Sequence, residues 1–471
     1  MYQVLTDPAR QKQLLIVIAL AVFIDSLDGS IVNIALPTIA QGFSADISLA
    51  AWVIIAYFLF LVGLIPIFGK IADHGRLQEV FCFGFLVFTA GSVLCSVSPE
   101  LSGLTVSRAV QGVGASMIAV TAPLLIVRLL PKNHWGLGMG LTATAGAVAL
   151  VFGPVLGGLI TEYLSWHWCF LMNVPIGVAA IWAGLHIIPK ACERPAKIRF
   201  DLPGALLIFV AIASLVYVLE RGGAAGGVSG SVVVCAVVFC VSAAGFVVRE
   251  LSAADPVLNV RVFACLPFTL VTVSYVLISV VYAGFLYIVP FYMSIVCGFS
   301  PAISGLILLI SSVITAVMGL PSGALSDTVG CRWLVTVAGC VRVGFCVVMA
   351  VLMPEYGVVW LIVLMVLSGV TFGVSGGPSA ARIVEHAPKG DGGTGSVILM
   401  LGQYFGMVVG VALYALVFNL GSPETAGVAV SLLTAEEFLP GFHLTGWFGV
   451  ICSVLVVVCS AVVADAVRRQ T

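Results

Sequence analysis

Two acids, Asp25 and Asp28, stand near the middle of an apolar run from Leu14 to Ala40. As a helix, that run is long enough to cross a bilayer core of roughly 30 Å. A carboxylate at such depth is costly unless it faces protein or water, so an intramembrane acid points to function by default. Three residues apart, the two acids share one side of a helix at roughly 5–6 Å, and acids so close are expected to titrate as a coupled pair. That is proton-handling chemistry. The plainer alternative keeps one of them buried and held by hydroxyls and backbone. Arg108 lies about seven residues from the outer end of the fourth apolar segment, roughly 11 Å deep at a helical rise of ~1.5 Å per residue. An arginine there needs a carboxylate or a set of carbonyls, and Asp28, at comparable depth, is the expected partner. Protonating Asp28 would then free Arg108 for another acceptor, so proton and substrate occupancy would compete. The alternative makes Arg108 a static strut on the backbone of the first helix. Gln111, one turn on, suits either role.

The elements that must position these groups are membrane helices. Hydrophobic residues make up 61% of the chain and charged residues 9%, well below the ~25% of a soluble domain. A net charge of -1 leaves no basic footprint for nucleic acid. The 13 cysteines are scattered without a CxxC or Cys/His cluster, so neither disulfides nor a metal site are expected. Fourteen apolar segments follow one another, from 14–40 to 442–464. In lipid every backbone polar group must be satisfied internally, which leaves a helical bundle. The first segment lacks a small-residue cleavage site and is expected to be an uncleaved span. With the N-terminus inside, all but three of the 20 basic residues fall on inner links or tails. The exceptions are Arg221, outside, and Arg108 and Arg342, within segments. So lopsided a distribution predicts cytoplasmic termini.

The segments divide as six, two and six. The expected organisation is a cytoplasmic N-terminus (1–13), a six-helix bundle (14–188), a basic linker with two extra helices (189–266), a second six-helix bundle (267–465) and a cytoplasmic C-terminus (466–471). The halves echo each other: Gly69, Asp73 and Arg76 after the second segment match Gly323, Asp327 and Arg332 after the tenth. Repeated halves are the usual build of a secondary transporter. Asp73, Arg76, Asp327 and Arg332 could latch an outward-facing state through ion pairs and helix dipoles, or act only as topogenic charge. In the fifth segment, Pro154 after Gly153 removes a helical hydrogen bond and bends the helix, while Gly157 and Gly158 let a neighbour approach. A sealing face and plain tight packing both fit. Arg342, in the eleventh segment, is expected to find a partner within its own bundle.

These stretches together resemble the major facilitator superfamily, specifically its fourteen-helix drug:proton antiporter group. Asp28 to Pro37 is similar to that group's first-helix signature, and Gly69 to Arg76 resembles the loop 2–3 motif. Arg108 to Gly114 matches the fourth-helix motif, Gly140 to Gly158 resembles the antiporter motif, and Ser165 to Gly177 resembles the stretch opening the sixth helix. Three departures stand out. Arg76-Leu77-Gln78-Glu79 dilutes the usual basic pair, Ala149 stands where glycine is common, and Asp25 is an addition.

The resemblance implies an all-α integral membrane protein, a major facilitator fold of two six-helix bundles plus two inserted helices, multi-pass in the cell membrane. It implies a monomer that exports small hydrophobic compounds, cations among them, by alternating access, with protons as coupling ion and no other cofactor. Asp25, Asp28, Arg108 and Gln111 would couple proton to substrate. Gly69, Asp73, Arg76, Gly153, Pro154, Gly157, Gly158, Asp327 and Arg332 would gate. The rivals are a proton-coupled transporter of one specific metabolite and a non-transporting membrane receptor. The chain carries no GxxxxGK[ST] and no HExxH, so nucleotide-driven transport and metalloprotease chemistry have no visible motif, and no enzyme is expected.

Overall fold

Helices account for nearly all of the chain because the apolar segments leave the backbone no other hydrogen-bonding partner than itself. The computed structural model describes residues 4–190, 201–222, 229–253, 257–352, 358–387 and 392–463. The first half comprises α1 (Pro8–Gly42), α2 (Ile47–Ile71), α3 (Leu77–Ser96), α4 (Leu101–Leu129), α5 (Trp135–Tyr163) and α6 (His167–Ile187). Two further helices follow, α7 (Leu202–Arg221) and α8 (Gly230–Ser252). The second half comprises α9 (Leu266–Ile295), α10 (Pro301–Val329), α11 (Cys331–Val347, continued by a π-helical turn Val348–Leu352), α12 (Val358–His386), α13 (Gly392–Gly421) and α14 (Ala435–Val462). By length and hydropathy these supply 13 apolar stretches, of which Ile47–Ser96 holds both α2 and α3. The two are separated at His74 and at Gly75, whose φ of 93° is a left-handed conformation that glycine adopts freely. Fourteen spans result.

Local chemistry sets several ends. Ser300 caps α10 by accepting from the Ile303 N–H, with Pro301 at the first helical position. Thr434 and Glu437 form a reciprocal capping box at the start of α14. Of the basic residues that orient the chain, Arg194, Lys197, Arg199, Lys389, Arg468 and Arg469 lie outside the described residues. The end of each span to which the basic residues point is its inner end.

The chain forms two compact units. The first comprises residues 1–35, 52–212 and 242–257. Within it α3 packs between α4 and α6, and glycines permit backbone contact. A Cβ on Gly114 would lie 2.7 Å from the Gly84 carbonyl, and one on Gly91 would lie 2.8 Å from the Gln111 Cα. The inner part of the inserted hairpin also belongs here. Arg249 donates to both carboxylate oxygens of Asp201 at 3.0 Å, joining the inner ends of α7 and α8, and the Phe209 ring fills the notch at Gly63 on α2.

The second unit comprises residues 36–51, 213–241 and 258–471, so by contacts the inserted helices divide between the units. Its framework is α9 against α13 and α14, α10 against α12, and α11 against α12 and α14. Gly406 and Gly410 of α13 press on Ser279 and on the Val280 carbonyl of α9. The link between α1 and α2 is tied into this unit by polar contacts. Tyr287 donates to the Ile47 carbonyl at 2.7 Å, Asn419 to Ser48 at 2.8 Å, the Val430 N–H to the Ala45 carbonyl at 2.9 Å, and the Gly427 N–H to Asp46 at 3.1 Å.

Candidate functional site

Asp28 is fully buried in the first unit, and three side chains donate to it. Arg108 Nη1 reaches one carboxylate oxygen at 2.6 Å. The other accepts from Gln111 Nε2 at 2.8 Å and Asn173 Nδ2 at 2.7 Å. Four helices therefore meet at one group: α1 supplies the acid, α4 the arginine and glutamine, α6 the asparagine, and α3 contributes Ser92, which accepts from Gln111 at 2.9 Å. Arg108 is 1% exposed and is held on three sides. Its Nε donates to the Val53 carbonyl of α2 at 3.0 Å, its Nη1 also donates to the Gln111 Oε1 at 2.6 Å, and its guanidinium lies 4.2 Å from the Tyr57 ring centroid. Charge, hydrogen-bond geometry and a cation–π face all compensate the arginine, which is the condition for holding a buried ion pair.

The motif glycines explain how α4 delivers these groups. Gly112 lies so close to the Tyr57 carbonyl of α2 that a Cβ would collide with it, while Gly114 faces Phe88 and Gly84 of α3. With glycine on both faces, α4 is drawn between α2 and α3, and Arg108 and Gln111 reach Asp28 without spanning a gap. The antiporter-motif stretch of α5 meets α1 just beyond Asp28. A Cβ on Gly157 would lie 2.7 Å from the Ile31 carbonyl, and one on Gly153 would collide with the Ser30 side chain. Pro154 and Gly158 are buried beside them. The α1–α5 contact is thus backbone against backbone, one turn from the acid.

Asp25 is placed differently. It is only partly buried, and it accepts from the Tyr57 hydroxyl at 3.0 Å. Tyr57 therefore touches both acids' surroundings, its ring against Arg108 and its hydroxyl on Asp25.

The Major Facilitator Superfamily model matches residues 18–411. The chain belongs to this superfamily. It is 30% identical over 406 residues to the riboflavin transporter RibZ of Clostridioides difficile (strain 630), covering 86% of this chain and 87% of that one. It is 32% identical over 295 residues to the putative multidrug resistance protein MdtD of Serratia proteamaculans (strain 568), covering 62% of this chain and 61% of that one. In structure it resembles a bacterial homologue of the human lysosomal transporter Spinster in an inward-facing and occupied conformation, with a TM-score of 0.68 at 13% identity over 98% of both chains. It likewise resembles a D-xylose–proton symporter, with a TM-score of 0.64 at 13% identity over 94% of this chain and 96% of that one. This superfamily transporter is a multi-pass cell-membrane protein.

Of the residues expected to gate, Asp73 pairs with Arg128 of α4, whereas Arg76 turns to Glu79 at 3.8 Å on the exposed surface. A Cβ on Gly69 would make only ordinary contact with Val120, at 3.7 Å. Arg332 lies over the Trp333 ring at 5.1 Å and reaches the Ala461 carbonyl at 3.5 Å. Asp327 sits in the last turn of α10, and its side chain lies outside the described ones. Arg342 is completely buried in the second unit, donating to Ser375 at 2.7 Å and to the Thr371 carbonyl at 3.4 Å. That serine sits within Gly373-Val374-Ser375-Gly376-Gly377, which spells a hydrolase nucleophile pattern, but it lies inside α12 and not on the strand-to-helix turn such chemistry requires.

Sequence reasoning gave no role to Tyr57, Ser92, Asn173 or the Val53 carbonyl. Asn173, an amide within an apolar helix, carried a readable signal. Tyr57 did not, since aromatic residues abound in these helices.

Proposed function

We propose that this superfamily member is a proton-coupled exporter of small hydrophobic compounds, cations included, with Asp28 as the proton-carrying group. The buried Asp28–Arg108–Gln111–Asn173 cluster carries the proposal. Oδ2 of Asp28 accepts only from Arg108 while Oδ1 accepts from Gln111 and Asn173, so a proton added to Oδ2 cancels the charge that holds the guanidinium there. Breaking the bond to Arg108 leaves the guanidinium on Val53 and Gln111, and α1 is then no longer tied by charge to α4. Because α1 meets α5 through glycine at Gly153 and Gly157, it can shift against α5 with few side chains in the way. Protonation from outside would in this way favour one access state and deprotonation towards the inside the other. The kinship with proteins named for multidrug resistance supports export. Asp25, partly exposed and one turn away, is suited to the positive part of a substrate.

A second reading rests on a specific observation: a relative covering most of the chain is named a riboflavin transporter. Under that reading the same cluster drives transport of one metabolite of flavin type. Purified protein in liposomes under an imposed pH gradient, offered lipophilic cations, neutral hydrophobic compounds and riboflavin, separates the two. Gradient-dependent movement of several unrelated compounds supports the exporter; movement of riboflavin alone selects the metabolite. If an imposed gradient moves nothing beyond the rate in protein-free liposomes, proton coupling is wrong.

A further inference from the structure

At the ends of its spans opposite the inner ones, the second unit holds a cavity of about 230 Å³. The α1–α2 link supplies Asp46 and the first turn of α2 Ser48, α7 ends on it with Glu220 and Arg221, and Asn419 of α13 and Gly427 of the α13–α14 loop complete the polar wall. Every one of these residues belongs to the second unit. Gly427 has a φ of 78°, and a Cβ there would meet nothing within 4 Å, so the loop leaves its side of the cavity open. At ~30 Å³ per water the space holds about seven waters, and it falls below the ~300–1,000 Å³ of a site for drug-sized ligands. Its occupant is therefore small.

The lining also fixes the sign of that occupant. Two carboxylates face one guanidinium, which leaves a net negative charge. Glu220 is 2% exposed, whereas Arg221, whose Nε lies 3.2 Å from it, is 46% exposed and so more screened by water. Asp46 accepts from the Leu49 N–H at 2.6 Å, capping α2, and from the Gly427 N–H at 3.1 Å; these donors orient the carboxylate without neutralising it. The chain from Gly421 to Glu437 adds Glu424, Glu436 and Glu437 and no lysine or arginine, which deepens the negative potential around the cavity. A hard divalent ion would need six to eight oxygens closed round it at ~2.3–2.6 Å, and both Asp46 oxygens are already turned to N–H donors. An ammonium group asks for no more than three acceptors. Glu220, Asp46 and the buried Asn419, whose amide donates to Ser48 at 2.8 Å, bring carboxylate and amide oxygens to that wall.

We propose that this cavity binds a small organic ammonium ion, with Glu220 and Asp46 as the charged acceptors. The bound cation ties the α1–α2 link to α7 and α13, adding to the hydrogen bonds from Tyr287, Asn419, Gly427 and Val430 that already hold the link. The site is distinct from Asp25, which lies in the first unit, and it stands without the transport function proposed above.

The purified full chain in detergent should unfold at a higher temperature in propylammonium chloride than in sodium chloride at equal ionic strength. A saturable rise of ~2 °C or more is expected, as for any ligand bound only by the folded state. Propanol at the same concentration should give no rise, which ties the effect to the charge. Glu220→Gln should abolish the rise and Asp46→Asn should weaken it, while Asp25→Asn should leave it in place. Should Glu220→Gln not fold, Asp46→Asn carries the test, because asparagine keeps an oxygen to cap α2. Equal unfolding temperatures in the two salts would overturn the proposal. So would a rise undiminished in both Glu220→Gln and Asp46→Asn, or one that Asp25→Asn alone removes, which would put the ammonium in the first unit. None of these readouts involves transport, so their failure leaves the role of Asp28 untouched.

Discussion

Two arginines sit in the membrane interior of this transporter, each fully buried, and their surroundings differ. Arg108 has a carboxylate, an amide oxygen, a backbone carbonyl and an aromatic face. Arg342 has a hydroxyl, a distant carbonyl and an aromatic ring, with two nitrogens unpaired. Burial therefore does not distinguish a coupling residue from any other. What distinguishes them is whether the compensating charge belongs to the chain. Where it does, a proton can compete for it, and the proposed switch follows. Where it does not, as at Arg342, there is no such competition.

The comparison breaks most sharply at Asp28. Asp28→Asn removes the ionisable group but keeps the shape of the cluster, so under the proposed mechanism gradient-driven accumulation in proteoliposomes should fall to the protein-free background while substrate binding persists. Normal pumping by Asp28→Asn would remove α1 from the mechanism. Next in size is the pair of arginine replacements. Arg108→Gln strands a buried carboxylate and should destabilise by about 3–5 kcal/mol. Arg342→Gln strands none and should change stability far less, or raise it; equal losses by thermal unfolding would erase the distinction between the two sites.

Gly157→Leu tests the neighbour of the proposed switch. Overpacking against the Ile31 carbonyl should cost about 1–3 kcal/mol and block exchange in protein that still reaches the membrane. Undiminished exchange would mean that α5 plays no sealing part. Asp25→Asn should be milder, lowering transport of lipophilic cations several-fold while sparing neutral compounds, since Asp25 accepts from the Tyr57 hydroxyl and is partly open. The smallest effect is expected for Tyr57→Phe. It deletes one hydrogen bond, worth about 1 kcal/mol, and leaves the ring on Arg108. Its measurable signature should be a change in cation transport that matches Asp25→Asn in direction; a change matching Asp28→Asn instead would join the two acids into one unit.

The sequence by itself determined the class and most of the span plan. Long apolar segments in lipid have only the helix available, and hydropathy marks fourteen of them. It also pointed to Asp28 and Arg108, because charge inside an apolar helix is expensive enough to stand out from its background. Tertiary structure decided what lies around that charge. Tyr57, Ser92 and Asn173 converge from three other helices, and their arrival depends on glycine contacts at Gly91, Gly112 and Gly114 that periodicity cannot pair. It also separated Asp25 from Asp28. At a spacing of three residues both share a helix side, yet α2 offers a hydroxyl to one while α4 and α6 bring donors to the other. The fate of Arg342 is of the same kind. A sequence shows that a charge is buried in a span, but only packing shows which of its donors find acceptors, because hydrogen bonds are made between helices whose rotation and depth no single segment contains.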